Sequence, residues 1–217
     1  MIDRLADIGF PDDDSGSLVA PNIARRAAIG GVIGPIGFVT AWLSTGFVKA
    51  RYSLLYDPIS DLAGAHASTR PAMTAGFVVL AVGMCFYARA LHSALAGLAW
   101  ITAAITGLAT LGVAAFPLHH SSTVDSVHGT FAGIGYVTLA ATALVSAAPL
   151  YRRGLHEWAR TAAIAGVVSA IALALTLTGS LHGLFQRIGL TAGDVWVVAS
   201  GVAILRGSWT RAEELRT

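Results

Sequence analysis

Charge is scarce in this sequence. Asp, Glu, Lys and Arg make up 12% of its 217 residues, against the roughly 25% usual in soluble domains. A soluble fold of this size could not hide the apolar surface that remains. Cysteine is nearly absent: Cys85 stands alone, which excludes an intrachain disulfide and leaves the redox compartment unread. No excess of one sign exists either. The net charge of +2 excludes the electrostatic footprint of a nucleic-acid partner. Short segments of alternating polarity are missing, which argues against a membrane β-barrel. No His-x3-His or His-Glu-x2-His pair occurs, so a metal centre has only a weak signal and none is required. Residues 1–27 hold Asp3, Asp7, Asp12, Asp13 and Asp14 and lack the apolar core of a secretory signal.

Apolar residues are abundant: they make up 55% of the chain, and the mean hydropathy is +0.68. Stretches of about 20 such residues, the length needed to cross a hydrocarbon core, fall at 28–48, 72–91, 94–116, 128–150, 162–181 and 188–206. Unpaired backbone groups are too costly in lipid for anything but helix here. The expectation is an all-α polytopic membrane protein, a compact bundle of six transmembrane helices at 28–206. A cytoplasmic N-terminal segment (1–27) precedes it and a cytoplasmic tail (207–217) follows. The 24 glycines suit close helix approach, notably Gly30-x3-Gly34 and Gly129-x3-Gly133.

Lys and Arg set the expected orientation. One side would hold ten of them: Arg4, Arg25, Arg26, Arg89, Arg152, Arg153, Arg160, Arg206, Arg211 and Arg216. The other holds four: Lys49, Arg51, Arg70 and Arg187. Both termini are therefore expected in the cytoplasm of a cell-membrane protein. Five of the seven histidines then fall on the extracytoplasmic side, although the charge rule counts no histidine.

Three polar constellations lie at that face. In Tyr52-Ser53-Leu54-Leu55-Tyr56-Asp57-Pro58-Ile59-Ser60-Asp61, Asp57 and Pro58 read as a helix N-cap and first turn, with Asp61 one turn on. Between the third and fourth spans, Phe116-Pro117-Leu118-His119-His120 leads to Asp125 and His128, spaced to share a helix face. A carboxylate so placed orients an imidazole and raises its basicity. The third runs from His182 through Gln186 and Arg187 to Asp194. On a helix Arg187, Thr191 and Asp194 share a face, with Asp194 about 10 Å deeper than Arg187. An acid at that depth faces a partner or a polar interior. For each constellation there is a structural alternative: a capped loop helix, an ordinary polar loop, or a buried Asp–Arg or Asp–His pair.

In that order the three resemble one family, the uncharacterised six-helix bacterial membrane family known as domain of unknown function 998. The resemblance rests on Tyr52-Ser53 leading to Asp57-Pro58-Ile59-Ser60-Asp61-Leu62, on Phe116-Pro117 with a loop ending in His128-Gly129, and on Gly183-Leu184-Phe185-Gln186-Arg187. It implies a compact six-helix bundle and no particular activity. His119-His120 stands where an acidic residue often follows Phe-Pro in that family. A looser likeness is to membrane hydrolases of the alkaline ceramidase type, but the His-x3-His pair of their zinc site is missing.

The functional expectation is an enzyme doing acid/base chemistry on a lipidic or isoprenoid substrate, either hydrolysis or transfer, or proton-initiated cyclisation. The candidate catalytic residues are Asp194, Asp57, Asp61, Asp125, His128 and His182. Arg187, Gln186, Tyr52, Trp196 and His120 are candidate substrate contacts. Membrane lipid is the expected partner, while a divalent metal and the oligomeric state stay open. The alternatives are a proton-coupled transporter or lipid-binding protein, and a structural membrane partner.

Overall fold

The computed structural model describes residues 22–209. Most of the expected N-terminal segment and tail, with Arg4, Arg211 and Arg216, lies outside them. Six helices follow one another: α1 (Gly30–Val48), α2 (Arg70–Ala94), α3 (Ala99–Ala115), α4 (Ser122–Arg152), α5 (His156–Leu175) and α6 (His182–Arg206). Five apolar helical stretches are long enough to span a membrane: Asn22–Val48, which contains α1, together with α2, α4, α5 and α6. At 17 residues, α3 sits at the lower limit, about 25 Å long at 1.5 Å per residue.

Each helix packs on the next, and α6 closes the ring against α1. Large apolar side chains face outward around the ring, among them Phe47 at 75% exposure, Val137 at 70% and Val195 at 59%. In water that surface would be a severe liability, whereas in lipid it needs no partner. The architecture is that of a multi-pass membrane protein.

Small residues set the closest approaches. A Cβ on Gly83 of α2 would lie 2.5 Å from the Gly30 carbonyl oxygen and 2.7 Å from the Gly34 Cα. The expected packing role of Gly30 and Gly34 is met there. Gly129 and Gly133 instead have nothing within 4 Å on the outer face of α4. Gly83→Ala is therefore expected to cost about 1–3 kcal/mol by overpacking. Gly133→Ala should leave stability unchanged or raise it slightly, since alanine is the better helix former. Melting of the two variants in one detergent checks the contrast.

Hydroxyl pairs join the helices further. Thr106 meets Thr138 at 2.9 Å and Thr142 donates to Thr102 at 2.9 Å, linking α3 to α4. Tyr87 and Ser200 lie 2.7 Å apart between α2 and α6. Trp196 and Trp209 are buried, and each packs edge-on against Trp158.

The loops sort into two ends. At one, the Ala65 N–H donates to the Leu118 carbonyl at 2.8 Å and that of Leu184 to Leu55 at 3.0 Å. At the other, Arg153 donates to the Ala94 carbonyl at 2.6 Å and Arg25 to that of Leu205 at 2.7 Å.

Candidate functional site

The first loop end is closed by a short 3₁₀ turn, Ile59–Ala63. Pro58 enters it with an extended ψ of 152° and cannot donate a backbone bond. Ile59, Ser60, Leu62 and Ala63 are buried while Asp61 points outward, so the turn forms a plug over the bundle. Four side chains hold it. Gln186 Oε1 accepts the Ile59 N–H at 2.7 Å, and Tyr52 donates to the Pro58 carbonyl at 3.0 Å. Lys49 donates to the Asp61 carbonyl at 2.6 Å and Thr69 to that of Leu62 at 2.7 Å.

Asp57 is not the cap its sequence suggests. The flanking position belongs to Pro58, and no side chain caps the turn. The Asp57 carboxylate instead accepts the Ser53 N–H at 2.7 Å and closes the preceding loop.

Arg187 belongs to the second turn of α6, which starts at His182, six residues before the expected span 188–206. Its Nη1 donates to the carbonyls of Leu54 at 2.8 Å, Asp57 at 3.0 Å and Gly183 at 2.8 Å. Its Nη2 donates to the Tyr52 hydroxyl. The guanidinium also lies 5.3 Å from the Trp42 ring centre and 5.5 Å from that of Tyr52. Carbonyl dipoles and ring faces thus stabilise this buried cation. Burial pushes the Tyr52 phenol up to about 12 against the opposing pull of Arg187, so Tyr52 stays a neutral hydroxyl that relays Arg187 to Pro58.

Outside the plug lies a second group. His119 Nε2 sits 2.9 Å from Asp61 Oδ1, and its backbone N–H donates to Asp125 Oδ1 at 2.8 Å. Two carboxylates therefore hold His119 in a left-handed conformation, φ 63°, which costs a non-glycine residue about 1–2 kcal/mol. Buried His128 bonds the Phe116 carbonyl through Nδ1 at 2.6 Å, leaving Nε2 buried without a partner. His120 is exposed. His182 bonds the Thr176 carbonyl at 2.6 Å through Nδ1 and closes the α5–α6 turn. Among the described residues, no three His, Cys, Asp or Glu side chains gather to hold a metal ion.

Beneath the plug a narrow cavity runs down the bundle. Ile59 and Ser60 line it with Phe38, Phe77, Phe131, Tyr136, Gln186 and Asp194. The volume open to the centre of a water molecule is about 50 Å³. Gln186 Nε2 donates to the Tyr136 hydroxyl at the plug end. Asp194 lies eight residues further along α6, about 12 Å at 1.5 Å per residue. It is 3% exposed, and neither carboxylate oxygen has a hydrogen-bond partner. Asp194 also lines a groove of about 410 Å³ on the outside of the bundle between α1 and α6, with Pro35, Val39, Thr191 and Val195. Asp194 is thus a lining residue of both the inner cavity and the lateral groove. Thr191, expected on the buried face with Arg187 and Asp194, is exposed to that groove.

The matched portion of the chain takes in all of these groups: the model of the family described as Protein of unknown function (DUF998) matches residues 32–203. The chain belongs to this family. No curated protein and no solved structure matches it. In this DUF998 protein the expected site residues divide into three sets. Tyr52, Gln186, Arg187 and the Asp57 backbone come together at the plug. Asp61 and Asp125 meet at His119 outside it, His128 is buried against the Phe116 carbonyl, and Asp194 stands alone below. His120, His182 and Trp196 join none of these sets. Two residues outside the sequence-based candidates belong here, His119 and Tyr136. The signal for Tyr136 was the α4 face it shares with Ala132 and Leu139 at helical spacing, since all three line the cavity.

Proposed function

We propose that this DUF998 protein is a membrane-embedded enzyme that uses Asp194 for acid/base chemistry on an isoprenoid-type lipid drawn sideways from the bilayer. One observation carries the reading: Asp194, whose buried carboxyl oxygens have no partner, is a lining residue of both the aromatic cavity and the lipid-facing groove. A carboxyl so placed carries a proton or meets a cation brought in by its ligand.

The surroundings favour one reaction type. Hydrolysis or transfer needs a nucleophile and its base within hydrogen-bond reach of each other, about 3 Å. Gln186 stands about 12 Å along the α6 axis from Asp194, and neither carboxylate oxygen of Asp194 has a hydrogen-bond partner. Proton-initiated rearrangement needs one acid and walls that tolerate positive charge. The rings of Phe38, Phe77, Phe131 and Tyr136 line the cavity, and a cation over a ring face gains about 0.5–2 kcal/mol. The cycle balances without a co-reactant. The Asp194 proton forms a C–H bond at an alkene carbon, and the resulting carbocation closes onto a second alkene or migrates. A proton from a neighbouring carbon then returns to the carboxylate.

The test is to incubate the protein, purified in lipid nanodiscs, with farnesol in deuterated water. The expected result is an isomer of farnesol carrying carbon-bound deuterium, seen by mass spectrometry. Unchanged, unlabelled farnesol would sink the enzymatic reading. Substrate-driven proton flux in vesicles without a C–D bond would assign Asp194 to proton-coupled transport instead. The Lys/Arg bias supports a plug facing away from the cytoplasm, with both termini inside.

A further inference from the structure

We infer that the plug end of the cavity recognises a neutral oxygen of the substrate, a hydroxyl or carbonyl, through the Tyr136 hydroxyl. The inference rests on the proposed reading of the cavity as an isoprenoid site, and it narrows the substrate class.

The Ile59 N–H can only donate, so the Gln186 atom 2.7 Å from it must be the carbonyl oxygen Oε1. The Gln186 NH₂ group then faces Tyr136 and donates to its hydroxyl oxygen. Tyr136 is an acceptor in that bond, so its own proton remains available, and Tyr136 lines the cavity. An amide donating into a phenol oxygen also makes the phenol proton a better donor. Ser60 lines the same end. Arg187, the cation nearest in sequence, does not line the cavity: its terminal nitrogens turn to three carbonyls and Tyr52, and its Nε is buried without a partner. This end therefore presents neutral donors, which suit an alcohol or ketone oxygen and offer a diphosphate no free charge. Asp194 lies about 12 Å along the helix. The head oxygen would be held at one end while an alkene remote from it meets the acid.

Binding of farnesol, the hydrocarbon farnesene and farnesyl diphosphate to the nanodisc protein tests this, by native mass spectrometry or calorimetry. The wild type should bind farnesol about tenfold more tightly than farnesene, the worth of one good hydrogen bond, and more tightly than the diphosphate. Tyr136→Phe should abolish the farnesol advantage and leave farnesene binding as it was. Equal binding of alcohol and hydrocarbon by the wild type, or tightest binding of the diphosphate, would overturn the inference. So would a farnesol advantage that survives Tyr136→Phe. Deuterium incorporation read on the same samples separates the two ideas. Product from farnesol without any alcohol preference sinks only the recognition site, whereas alcohol preference without C–D product sinks only the chemistry. No binding of either neutral probe removes both.

Discussion

Asp194→Asn is expected to reduce deuterium incorporation by about 10²–10⁴-fold, the usual contribution of a positioned acid or base, while the melting temperature stays at or above that of the wild type. The two halves of this expectation have one cause. Neither carboxylate oxygen of Asp194 holds any other group in place, so the amide loses the proton and no structural contact. Asp194→Leu extends the argument. A buried polar group without a partner costs about 1–3 kcal/mol, and leucine removes that cost within an aliphatic and aromatic wall. The leucine variant should melt higher than the wild type and be inactive, the pattern of a residue kept for function at the expense of stability. Turnover and melting measured on the same preparations check this. An asparagine variant that retains activity would remove Asp194 from the chemistry. One that fails to fold would mean that the carboxyl group has a structural partner.

Arg187→Met is expected to have the opposite signature. The Leu54 and Asp57 carbonyls and the Tyr52 hydroxyl would lose the Arg187 donor at once, whereas the Gly183 carbonyl keeps its helix N–H. A fully buried acceptor left unsatisfied costs about 1–3 kcal/mol, and these are part-buried and not additive, so a total loss of about 2–3 kcal/mol follows. Arg187→Lys should recover only part of it, because one ammonium nitrogen cannot reproduce the two-pronged geometry of a guanidinium. The damage should begin at the loop before the plug, so proteolysis near Leu54–Asp57 should quicken before the helices melt. Unchanged melting and proteolysis in Arg187→Met would contradict this positioning role. Gly183 belongs to the same joint. A Cβ there would meet the Asp57 carbonyl oxygen at 2.5 Å and the Leu54 carbonyl oxygen at 2.9 Å, which explains why glycine precedes Arg187 by one turn.

Helical phase explains which site residues were legible and which were not. At 100° per residue, Arg187 and Asp194 point within about 20° of each other, while Thr191 lies about 40° round from Arg187. That offset is enough to expose Thr191 while Arg187 and Asp194 stay buried. Trp196, two residues from Asp194, is turned by about 200° and meets Trp158 instead of the cavity. Spacing along one helix could not show which neighbour each face would meet. His119 and His120 were indistinguishable by type, and the carboxylates of Asp61 and Asp125 selected His119.

Hydropathy alone determined the six helices, their approximate spans and the gathering of His and Asp in the loops of one end. Length and apolarity suffice for that, because lipid leaves the backbone no alternative to helix. Low charge by itself excluded a soluble fold. Tertiary structure decided the rest: that Ile59–Ala63 plugs the bundle, that Arg187 pins the loop before it, and that Asp194 stands unpaired between a cavity and the bilayer. These depend on contacts between residues more than 100 positions apart, such as Ile59 with Gln186. Scarcity of charge marks a membrane protein, but only packing reveals which of its few charges is left without a partner.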